Sequence, residues 1–369
     1  TLVCFSHLRW DLVYQRPQHL LSRAARDWRV IYFEEPVLQG TTPTLELSVV
    51  SGVLRAQPHL PAEMPPAEQT AALRSLLDGL LASQDASEII AWYYTPLALA
   101  FSDHLLPLVT VYDCMDELSL FRGAPAGLRV SEDELFARAD LVFTGGASLQ
   151  RAKSCRHPEV HLFPSSIDRS HFARSRSADA SADVAGLPRP RFGFYGVIDE
   201  RTDLGLLDEL ASLRPDWQFV LLGPVVKISP DSLPVRPNLH YPGRREYAEL
   251  PSFLAGIDVA IMPFALNEAT RFISPTKTLE YLAAGKRVVS TAIADVSDPY
   301  GRSGVVSIAR DATEFISMCA RLLAEGPTED WQFRVDRLLR TTSWDRTWAG
   351  MRQHLERQLH KSMPAVLAD

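Results

Sequence analysis

Residues 271–290 read RFISPTKTLEYLAAGKRVVS, and this stretch predicts a helix followed by a strand. Pro275 suits the first position of a helix, because its missing backbone N–H would have no partner there. Ser274 is then the expected N-cap. The free amides of the first turn and the positive end of the helix dipole favour an anion, and Lys277 adds a full positive charge beside them. The stretch therefore predicts a phosphate site at the start of a helix.

Glu280 follows Thr276 and Lys277 by about one turn, on the same side of the predicted helix. A salt bridge within the helix, from Lys277 to Glu280, is one explanation of this spacing. A ligand-binding group made of both charges is the other. The residues of this stretch leave both open.

The composition is that of a globular protein. The chain has 369 residues, of which 46% are hydrophobic and 22% charged, and its formal net charge is -7. This length favours two domains, and an acidic chain does not attract nucleic acid. No apolar run approaches the roughly 20 residues that cross a bilayer, and the first residues lack the pattern of a signal peptide. We therefore expect a cytoplasmic protein.

The cysteines and the N-terminal arginines are the remaining compositional features. Cys4, Cys114, Cys155 and Cys319 match neither a zinc spacing nor a disulfide framework, so we expect buried free thiols and no metal. No cofactor is expected either, because FYGVIDERTDL has a single glycine at its strand end and lacks the G-x-G-x-x-G dinucleotide pattern. Residues 1–30 also contain five arginines and only two aspartates. A solvated helix face explains this excess, and a basic face resting on the inner surface of a membrane is the alternative.

Short apolar runs alternate with helical patterns along nearly the whole chain. This alternation is typical of parallel sheets built from strand–helix–strand units, so the predicted fold class is α/β. The candidate strands of the first half are residues 2–5, 29–33, 45–50, 88–94, 108–113, 141–145 and 160–164. Those of the second half are residues 191–196, 217–223, 238–243, 258–264, 287–291 and 305–309.

The stretch from Ser175 to Pro190, SRSADASADVAGLPRP, loses the hydrophobic period and predicts a linker. We place an N-terminal domain at 1–175, the linker at 176–189, a C-terminal domain at 190–342, and a final helix with a tail at 343–369. Both domains are expected to be doubly wound and Rossmann-like, facing each other across a cleft, with ligands at the carboxyl ends of the strands. The final helix carries one apolar face, formed by Trp344, Trp348, Met351 and Leu355.

The segment ISPTKTLEYLAAGKRVVST, residues 273–291, resembles the donor-binding segment of GT-B glycosyltransferases, especially glycosyltransferase family four, where a helix carries LEAMAxGxPVV. The segments VHLFPSSIDRSHF (160–172), FYGVIDERTDLGLLDEL (194–210) and GRREYAELPSFLAGIDVAIMPF (243–264) are similar to other parts of that family. The resemblance covers most of residues 1–360. It implies a GT-B glycosyltransferase of this family or a sister family, whose final helix crosses back to the N-terminal domain.

The resemblance also implies a donor site. Glu280 would accept hydrogen bonds from both ribose hydroxyls of the nucleotide, since two carboxylate oxygens suit a vicinal diol. The backbone at Ser274 and Thr276, together with Lys277, would hold the diphosphate. The remaining donor-site candidates are Gly196 at the end of a strand, Arg201 in the loop after it, and Arg244 in the loop that frames the base.

The chain departs from the family pattern in the donor domain. Phe272 stands where the family has a Glu that contacts the donor sugar, and Asn267 and Glu268 are the candidates to replace that Glu. Val197 and Thr202 stand where the family has the Arg and Lys that clamp the diphosphate. The neighbouring Arg201 and the helix residue Lys277 are therefore the expected cations.

The first loop departs as well. The glycine-rich loop of the family is replaced by SHLRWDLVYQRPQHL, residues 6–20, which implies a differently built acceptor side. Arg9, Trp10 and Gln15 are its candidate acceptor residues. Trp10 suits stacking on a sugar ring and suits core packing equally well.

Transfer with inversion needs a base for the acceptor hydroxyl. Asp113 and Asp116 stand at the carboxyl end of a predicted buried strand, where catalytic groups belong in this architecture. His7 follows the first strand. Alternatively, Asp113 holds the next loop in place, and His7 has a structural role.

The predicted function is transfer of a sugar from a nucleotide sugar, a UDP-sugar by family preference, to a glycan or lipid-linked acceptor in polysaccharide biosynthesis. Arg201, Lys277 and the helix amides would balance the leaving diphosphate without a metal. A GT-B sugar-nucleotide epimerase or hydrolase is one alternative. A non-catalytic nucleotide-sugar-binding subunit is another, which the Phe272 departure keeps open.

Overall fold

The computed structural model describes residues 1–362, which form two compact units. The first unit contains Thr1–Ser119, Ala124–Pro164 and the chain from Asp345 onward. The second contains Leu120–Gly123 and Ser165–Trp344. Residues 363–369, which belong to the predicted tail, lie outside the described residues.

The first unit is built on a sheet of nine strands. These are β1 (Leu2–Ser6), β2 (Val30–Glu34), β3 (Val37–Leu38), β4 (Thr44–Val50), β5 (Val53–Leu60), β6 (Ile90–Tyr93), β7 (Val109–Cys114), β8 (Leu141–Thr144) and β9 (Val160–Leu162). Its helices are α1 (Arg16–Ala24), α2 (Pro66–Ser83), α3 (Leu99–Ser102), α4 (Leu128–Arg138), α5 (Ala147–Lys153) and, after the second unit, α14 (Trp344–Ser362). The strand order is β3-β5-β2-β1-β6-β7-β8-β9, and β4 pairs with β5.

Strands β1, β2 and β7 are buried along their whole length, which explains why they read as continuous apolar runs. Strand β4 differs, because it pairs antiparallel with β5 and most of its residues are exposed. The chain reverses at Ser51 and Gly52, which have φ values of 53° and 81° and form a two-residue hairpin turn. Residues 45–50 are therefore a strand as predicted, but an exposed edge strand outside the parallel pattern.

Helix α14 buries the apolar face that its sequence predicts. Trp348, Met351 and Leu355 are each at most 5% exposed. Trp348 packs edge-on against Trp28, and its Nε1 donates a 3.0 Å hydrogen bond to Asp27. The predicted amphipathic helix is confirmed, and most of it belongs to the first unit.

The second unit has a parallel sheet of six strands. They are β10 (Arg191–Tyr195), β11 (Gln218–Leu222), β12 (Leu239–Gly243), β13 (Val259–Met262), β14 (Arg287–Thr291) and β15 (Ser307–Ala309), in the order β12-β11-β10-β13-β14-β15. The helices are α6 (Arg169–Ala173), α7 (Ala182–Ala185), α8 (Leu204–Leu213), α9 (Leu250–Ala255), α10 (Lys277–Ala283), α11 (Ala294–Val296), α12 (Ala312–Glu325) and α13 (Glu329–Arg340). Parallel sheets with helices in both units confirm the α/β class.

Residues 176–189, the predicted linker, lie in the second unit, which begins at Ser165 rather than near residue 190. Val184 is fully buried in the core of this unit and packs against Gly256, where a side chain would overlap it. The hydroxyl of Ser175 donates to the carbonyl of Ala284 at 3.0 Å. This segment shows no hydrophobic period because many of its residues are small. Their small side chains allow the segment to pack closely against the core of the second unit.

Candidate functional site

Two glycines mark the carboxyl edge of the second sheet. Gly196 follows β10 with φ 139°, and Gly223 follows β11 with φ 151°. A Cβ on Gly223 would overlap the carbonyl oxygen of Gly196, and a Cβ on Gly196 would overlap the side chain of Lys277. The φ values and the space both require glycine. The side chain of Lys277 thus lies directly over the end of β10.

Lys277 opens α10, and its ammonium lies 5.5 Å from the ring centroid of Phe194. The helix begins at Lys277, so the N-cap position is Thr276 and not Ser274 as predicted; Thr276 has φ -55° and ψ -34°, and its side chain makes no capping hydrogen bond. The amide of Thr278 donates to the carbonyl of Pro275, which precedes the cap and is not the first helical residue as predicted. Ser274 and Thr276 are both half-buried.

Glu280, one turn further, is buried and held by Tyr195 at the end of β10. Its side chain is 7% exposed, and Tyr195 Oη donates a 2.5 Å hydrogen bond to Glu280 Oε2. Burial raises the pKa of Glu280, although the Tyr195 bond and the charge of Lys277 lower it in part. Tyr195 is fixed in turn, since its amide donates to Tyr281 Oη at 3.1 Å. Sequence reasoning missed Tyr195, which no local spacing connects to Glu280.

Arg201 lies in the loop after β10, but an aspartate already holds it. Its Nη2 and Nε contact the two carboxylate oxygens of Asp199 at 2.7 and 3.0 Å. Asp199 is 4% exposed, and the Arg201 guanidinium also lies 5.5 Å from the ring of Phe121. Much of the charge of Arg201 is therefore balanced within the protein.

The other donor candidates lie in loops of the second unit. Arg244 follows β12, and its Nη2 contacts Glu246 Oε1 at 2.9 Å. Asn267, a predicted substitute for the family Glu, accepts from the amide of Thr270 and donates to the carbonyl of Glu200 at 2.9 Å. Its amide side chain is thus used to fix the loop. Glu268 is largely exposed and forms a 3.6 Å contact with Arg271.

In the first unit, the predicted base Asp113 is locked in an ion pair. Its side chain is 0% exposed, and Arg16 Nη2 and Nε contact its two oxygens at 2.8 and 3.0 Å. The third nitrogen of Arg16 donates to the carbonyl of Phe163 at 2.7 Å. Burial lowers the pKa of Arg16, but the charge and hydrogen bonds of Asp113 raise it by more. This geometry favours the alternative in which Asp113 ties the structure together.

Asp116 and His7 are half-buried and lie after β7 and β1 respectively. The carbonyl of Asp116 accepts a contact from the Cys114 thiol at 3.6 Å. The turn before it fits closely against β8, because a Cβ on Gly145 would lie 2.6 Å from the carbonyl oxygen of Met115. Asp116 is thus more accessible than Asp113, and the catalytic roles of all three residues stay predictions.

The candidate acceptor residues form part of the first loop. Trp10 is 5% exposed, packs edge-on against Tyr32, and donates its amide to Glu34 Oε1 at 2.9 Å. Core packing is therefore the role of Trp10 that the geometry favours. Arg9 donates to the carbonyl of Pro36 at 2.9 Å, and Gln15 is the N-cap residue of α1.

A cavity of about 510 Å³ lies beside these residues, where β1 and β2 end. Three phenylalanine rings, those of Phe5, Phe33 and Phe101, line it together with Glu34 and Gln69. Its volume is that of a small-molecule site. Sequence reasoning missed the cavity, although the strand positions of Phe5 and Phe33 would have placed them near this edge.

Three of the N-terminal arginines, one in α1 and two after it, are engaged within the first unit. Arg23 and Arg26 both contact Asp345 at 3.1 Å, and Arg29 donates to the carbonyl of Gln84. Within residues 1–362, no helix is long and apolar enough to cross a membrane. The part of the chain that the structure describes also has no cluster of three or more His, Cys, Asp or Glu side chains suited to a metal. The cysteines are free, but Cys155 is exposed rather than buried.

The second unit matches a known family. Residues 189–325 match the sequence model of the family described as Glycosyl transferases group 1. The matched region contains all seven donor-site candidates. A Bacillus subtilis (strain 168) protein, named for a glycosyltransferase of teichuronic acid biosynthesis, TuaH, is 26% identical over 295 residues. The match covers 74% of this chain and 73% of that protein.

Solved structures with the same fold cover nearly the whole chain. Sucrose-phosphate synthase from Thermosynechococcus elongatus has a TM-score of 0.68 at 15% identity, over 98% of this chain and 99% of its own. An Escherichia coli trehalose-6-phosphate structure bound with UDP-2-fluoro glucose has a TM-score of 0.68 at 13% identity, over 97% and 98%. Anabaena HepE in complex with UDP and glucose has a TM-score of 0.68 at 13% identity, over 96% and 99%. At these identities the likeness shows the fold, which is GT-B.

Proposed function

We propose that the chain is a GT-B glycosyltransferase with its group 1 domain at residues 189–325, and that it transfers a sugar from a UDP-sugar to a glycan or lipid-linked acceptor. The observation that carries the proposal is the group formed by Lys277, Gly196, Tyr195 and Glu280 at the carboxyl edge of the second sheet. It brings one cation, one buried acid and a strand end without a side chain to a single place.

Each member of this group has a role in the proposed donor complex. Glu280 uses Oε2 to accept from Tyr195, and we assign Oε1 to the ribose hydroxyls. Lys277 packs over Gly196, which places its ammonium at the end of β10, where we assign it to the diphosphate. The ammonium balances the charge that the diphosphate gains as it leaves, so we propose that the reaction needs no metal. Retained activity in the presence of a chelator is the expected result.

UDP is the proposed nucleotide because of the structural neighbours. The Anabaena structure contains UDP, and the E. coli structure contains UDP-2-fluoro glucose. The Bacillus relative is named for teichuronic acid biosynthesis, which supports polysaccharide biosynthesis as the setting. We propose the cavity at the ends of β1 and β2 as the acceptor subsite, since its phenylalanines suit the apolar face of a sugar and Gln69 can bond a hydroxyl.

The first test is calorimetric titration of wild type and Lys277→Met with UDP, GDP and their sugars. The variant keeps the aliphatic stem and loses the charge, so UDP affinity is expected to fall by roughly 10- to 100-fold. The matched control is Arg310→Met, an exposed cation of the same unit that bonds Glu314. Equal UDP affinity in Lys277→Met and wild type would contradict the proposed donor site.

A non-catalytic nucleotide-sugar-binding subunit is the second candidate. Phe272 in place of the family Glu and the bonding of Arg201 to Asp199 both favour it. Analysis of the reaction products distinguishes these candidate functions. A transferase should convert a UDP-sugar and an acceptor into a glycoside and UDP. Free sugar or a new nucleotide sugar from the donor alone indicates a hydrolase or epimerase. UDP binding with no turnover under any of these conditions indicates the subunit.

A further inference from the structure

A second cavity, of about 570 Å³, lies at the amino edge of the sheet in the second unit. It is bordered by Arg287 at the start of β14, Ser307 at the start of β15, and Arg321 on α12. The proposed donor site lies at the carboxyl edge of the same sheet. In a parallel sheet these edges are opposite, so the two sites are separate.

Arg287 is fixed in the wall of this cavity. Its Nη1 donates to the carbonyl of Gly326 at 2.7 Å, and its guanidinium lies 5.2 Å from the ring centroid of Trp331. Its side chain is 13% exposed. Burial lowers the pKa of Arg287; Glu325 raises it, and the charges of Arg321 and Arg334 lower it again. Two of these guanidinium groups, those of Arg287 and Arg321, line the cavity, and the third, that of Arg334, would lie 3.8 Å from a Cβ on the lining residue Gly304.

The negative charges nearby do not balance these three groups. Arg334 contacts Asp330 at 2.8 Å, and Arg287 contacts Glu325, which also lines the cavity, at 3.9 Å. Two carboxylates therefore face three guanidinium groups, which leaves one positive charge in excess. Among residues 1–362, no carboxylate lies within ion-pair distance of Arg321. Like charges that line one cavity repel one another, and a bound anion would reduce that repulsion.

The donors of the cavity suit phosphate. Guanidinium groups bond phosphate oxygens in pairs through parallel N–H groups. The hydroxyls of Ser297 and Ser307, which also line the cavity, supply further donors. Gly301 and Gly304 also line the cavity, and its volume is that of a small-molecule site.

We propose that this cavity binds a phosphate or pyrophosphate group of a ligand, with Arg287 and Arg321 on its oxygens and the two serines as added donors. The site is independent of the donor site and goes beyond the proposed transfer reaction. The phosphate belongs either to a soluble phosphate ester or to a lipid headgroup, and these sources share the same recognition.

The test is calorimetric titration of the whole protein with inorganic pyrophosphate. Arg321→Ala is expected to lower the affinity by at least tenfold, and it should fold normally because Arg321 is exposed. Arg337→Ala is the matched control: Arg337 is also exposed, no ion pair to it is found within residues 1–362, and it does not line the cavity. Any pyrophosphate bound at the donor site is common to both variants, so their difference reports on this cavity.

A second variant, Ser307→Glu, brings a further carboxylate into the cavity and is expected to abolish the part of pyrophosphate binding that depends on Arg321. Sedimentation with phosphatidylcholine vesicles, with and without phosphatidylglycerol, distinguishes the sources. Loss of anionic-vesicle binding in Arg321→Ala but not in Arg337→Ala assigns the phosphate to a lipid. Pyrophosphate binding without vesicle binding assigns it to a soluble ester. If Arg321→Ala behaves as the control with pyrophosphate and with vesicles, the proposal is wrong.

Discussion

Asp113 and Glu280 are both buried carboxylates near the carboxyl edge of a parallel sheet, one in each unit, yet their partners differ. Asp113 faces the guanidinium of Arg16, which contacts both of its oxygens. Glu280 accepts one hydrogen bond from the neutral phenol of Tyr195, and burial raises its pKa. A full opposite charge satisfies Asp113 within the fold. Burial of the Glu280 carboxylate costs folding free energy, which is typical of an ionisable group whose function is to bind a ligand.

The largest effect on stability should come from breaking the ion pair between Arg16 and Asp113. Arg16→Met leaves Asp113 buried without its counter-charge, so the free energy of unfolding should fall by about 3 to 5 kcal/mol. Chemical denaturation followed by circular dichroism measures it. The double variant Arg16→Met with Asp113→Leu should recover most of the loss, because no buried charge remains. A loss below about 1 kcal/mol in the single variant would show that the ion pair does not hold the first unit together.

The next largest effect should appear in the second unit, where a change at Glu280 should lower UDP affinity. Glu280→Gln retains an acceptor for Tyr195 but removes the charge, so stability should change little while UDP affinity falls by roughly 10- to 100-fold. Calorimetry with UDP measures the affinity. Glu314→Gln is the matched control, since Glu314 lies at the start of α12 in the same unit. Unchanged affinity in Glu280→Gln would remove Glu280 from the donor site.

The titration of Glu280 should give UDP affinity and the free energy of unfolding opposite dependences on pH. Since its folded pKa is raised above 4.5, the folded protein binds more protons than the unfolded chain between these two values. Its contribution to the free energy of unfolding is present below pH 4.5 and is lost as the pH rises through the folded pKa. UDP affinity should change in the opposite direction and decrease as the pH falls through that pKa, because the ribose contact needs the carboxylate.

A pH series of UDP titrations and of unfolding curves measures both trends. Glu280→Gln should lack the part of each trend that belongs to this group. Trends of the same size in the variant and in wild type would assign the pH dependence to other residues.

The smallest expected effect comes from Tyr195. Tyr195→Phe removes the hydrogen bond to Glu280 Oε2 and should lower the free energy of unfolding by about 1 kcal/mol. This bond lowers the pKa of Glu280, so its loss should raise that pKa further and move the acid limb of UDP binding to higher pH. Tyr241→Phe is the control, because Tyr241 lies in β12 and donates to the carbonyl of Pro234. An unchanged acid limb in Tyr195→Phe would separate Tyr195 from the titration of Glu280.

Much of the fold could be predicted because its strands are short apolar runs between helices. Residues 191–196 and 217–223 were expected as strands, and β10 and β11 lie at Arg191–Tyr195 and Gln218–Leu222. Strand β5 was not predicted, since its sequence VLRAQPHL has polar and proline positions and only part of it is buried. The direction of β4 depended on a two-residue turn with a serine at positive φ, which the sequence does not mark clearly.

Some residues of the candidate site could likewise be predicted from the sequence, and others could not. Lys277 and Glu280 could be found because they are three positions apart on one helix. The Tyr195 to Glu280 contact spans 85 positions, and the Arg16 to Asp113 pair spans 97. No local pattern predicts contacts of that range. The cap at Thr276 rather than Ser274 was missed because φ and ψ at each residue depend on the packing of the whole loop.

The sequence alone determined the α/β class, the position of most strands, the apolar face of the last helix and the acid and lysine of the candidate donor site. These features depend on residues that are close along the chain. Only the tertiary structure decided which buried carboxylate is neutralised and which is held by a neutral partner. It also brought Arg287 and Arg321 to the wall of one cavity. The reason is that charge balance inside a protein depends on groups that the fold brings together from distant positions.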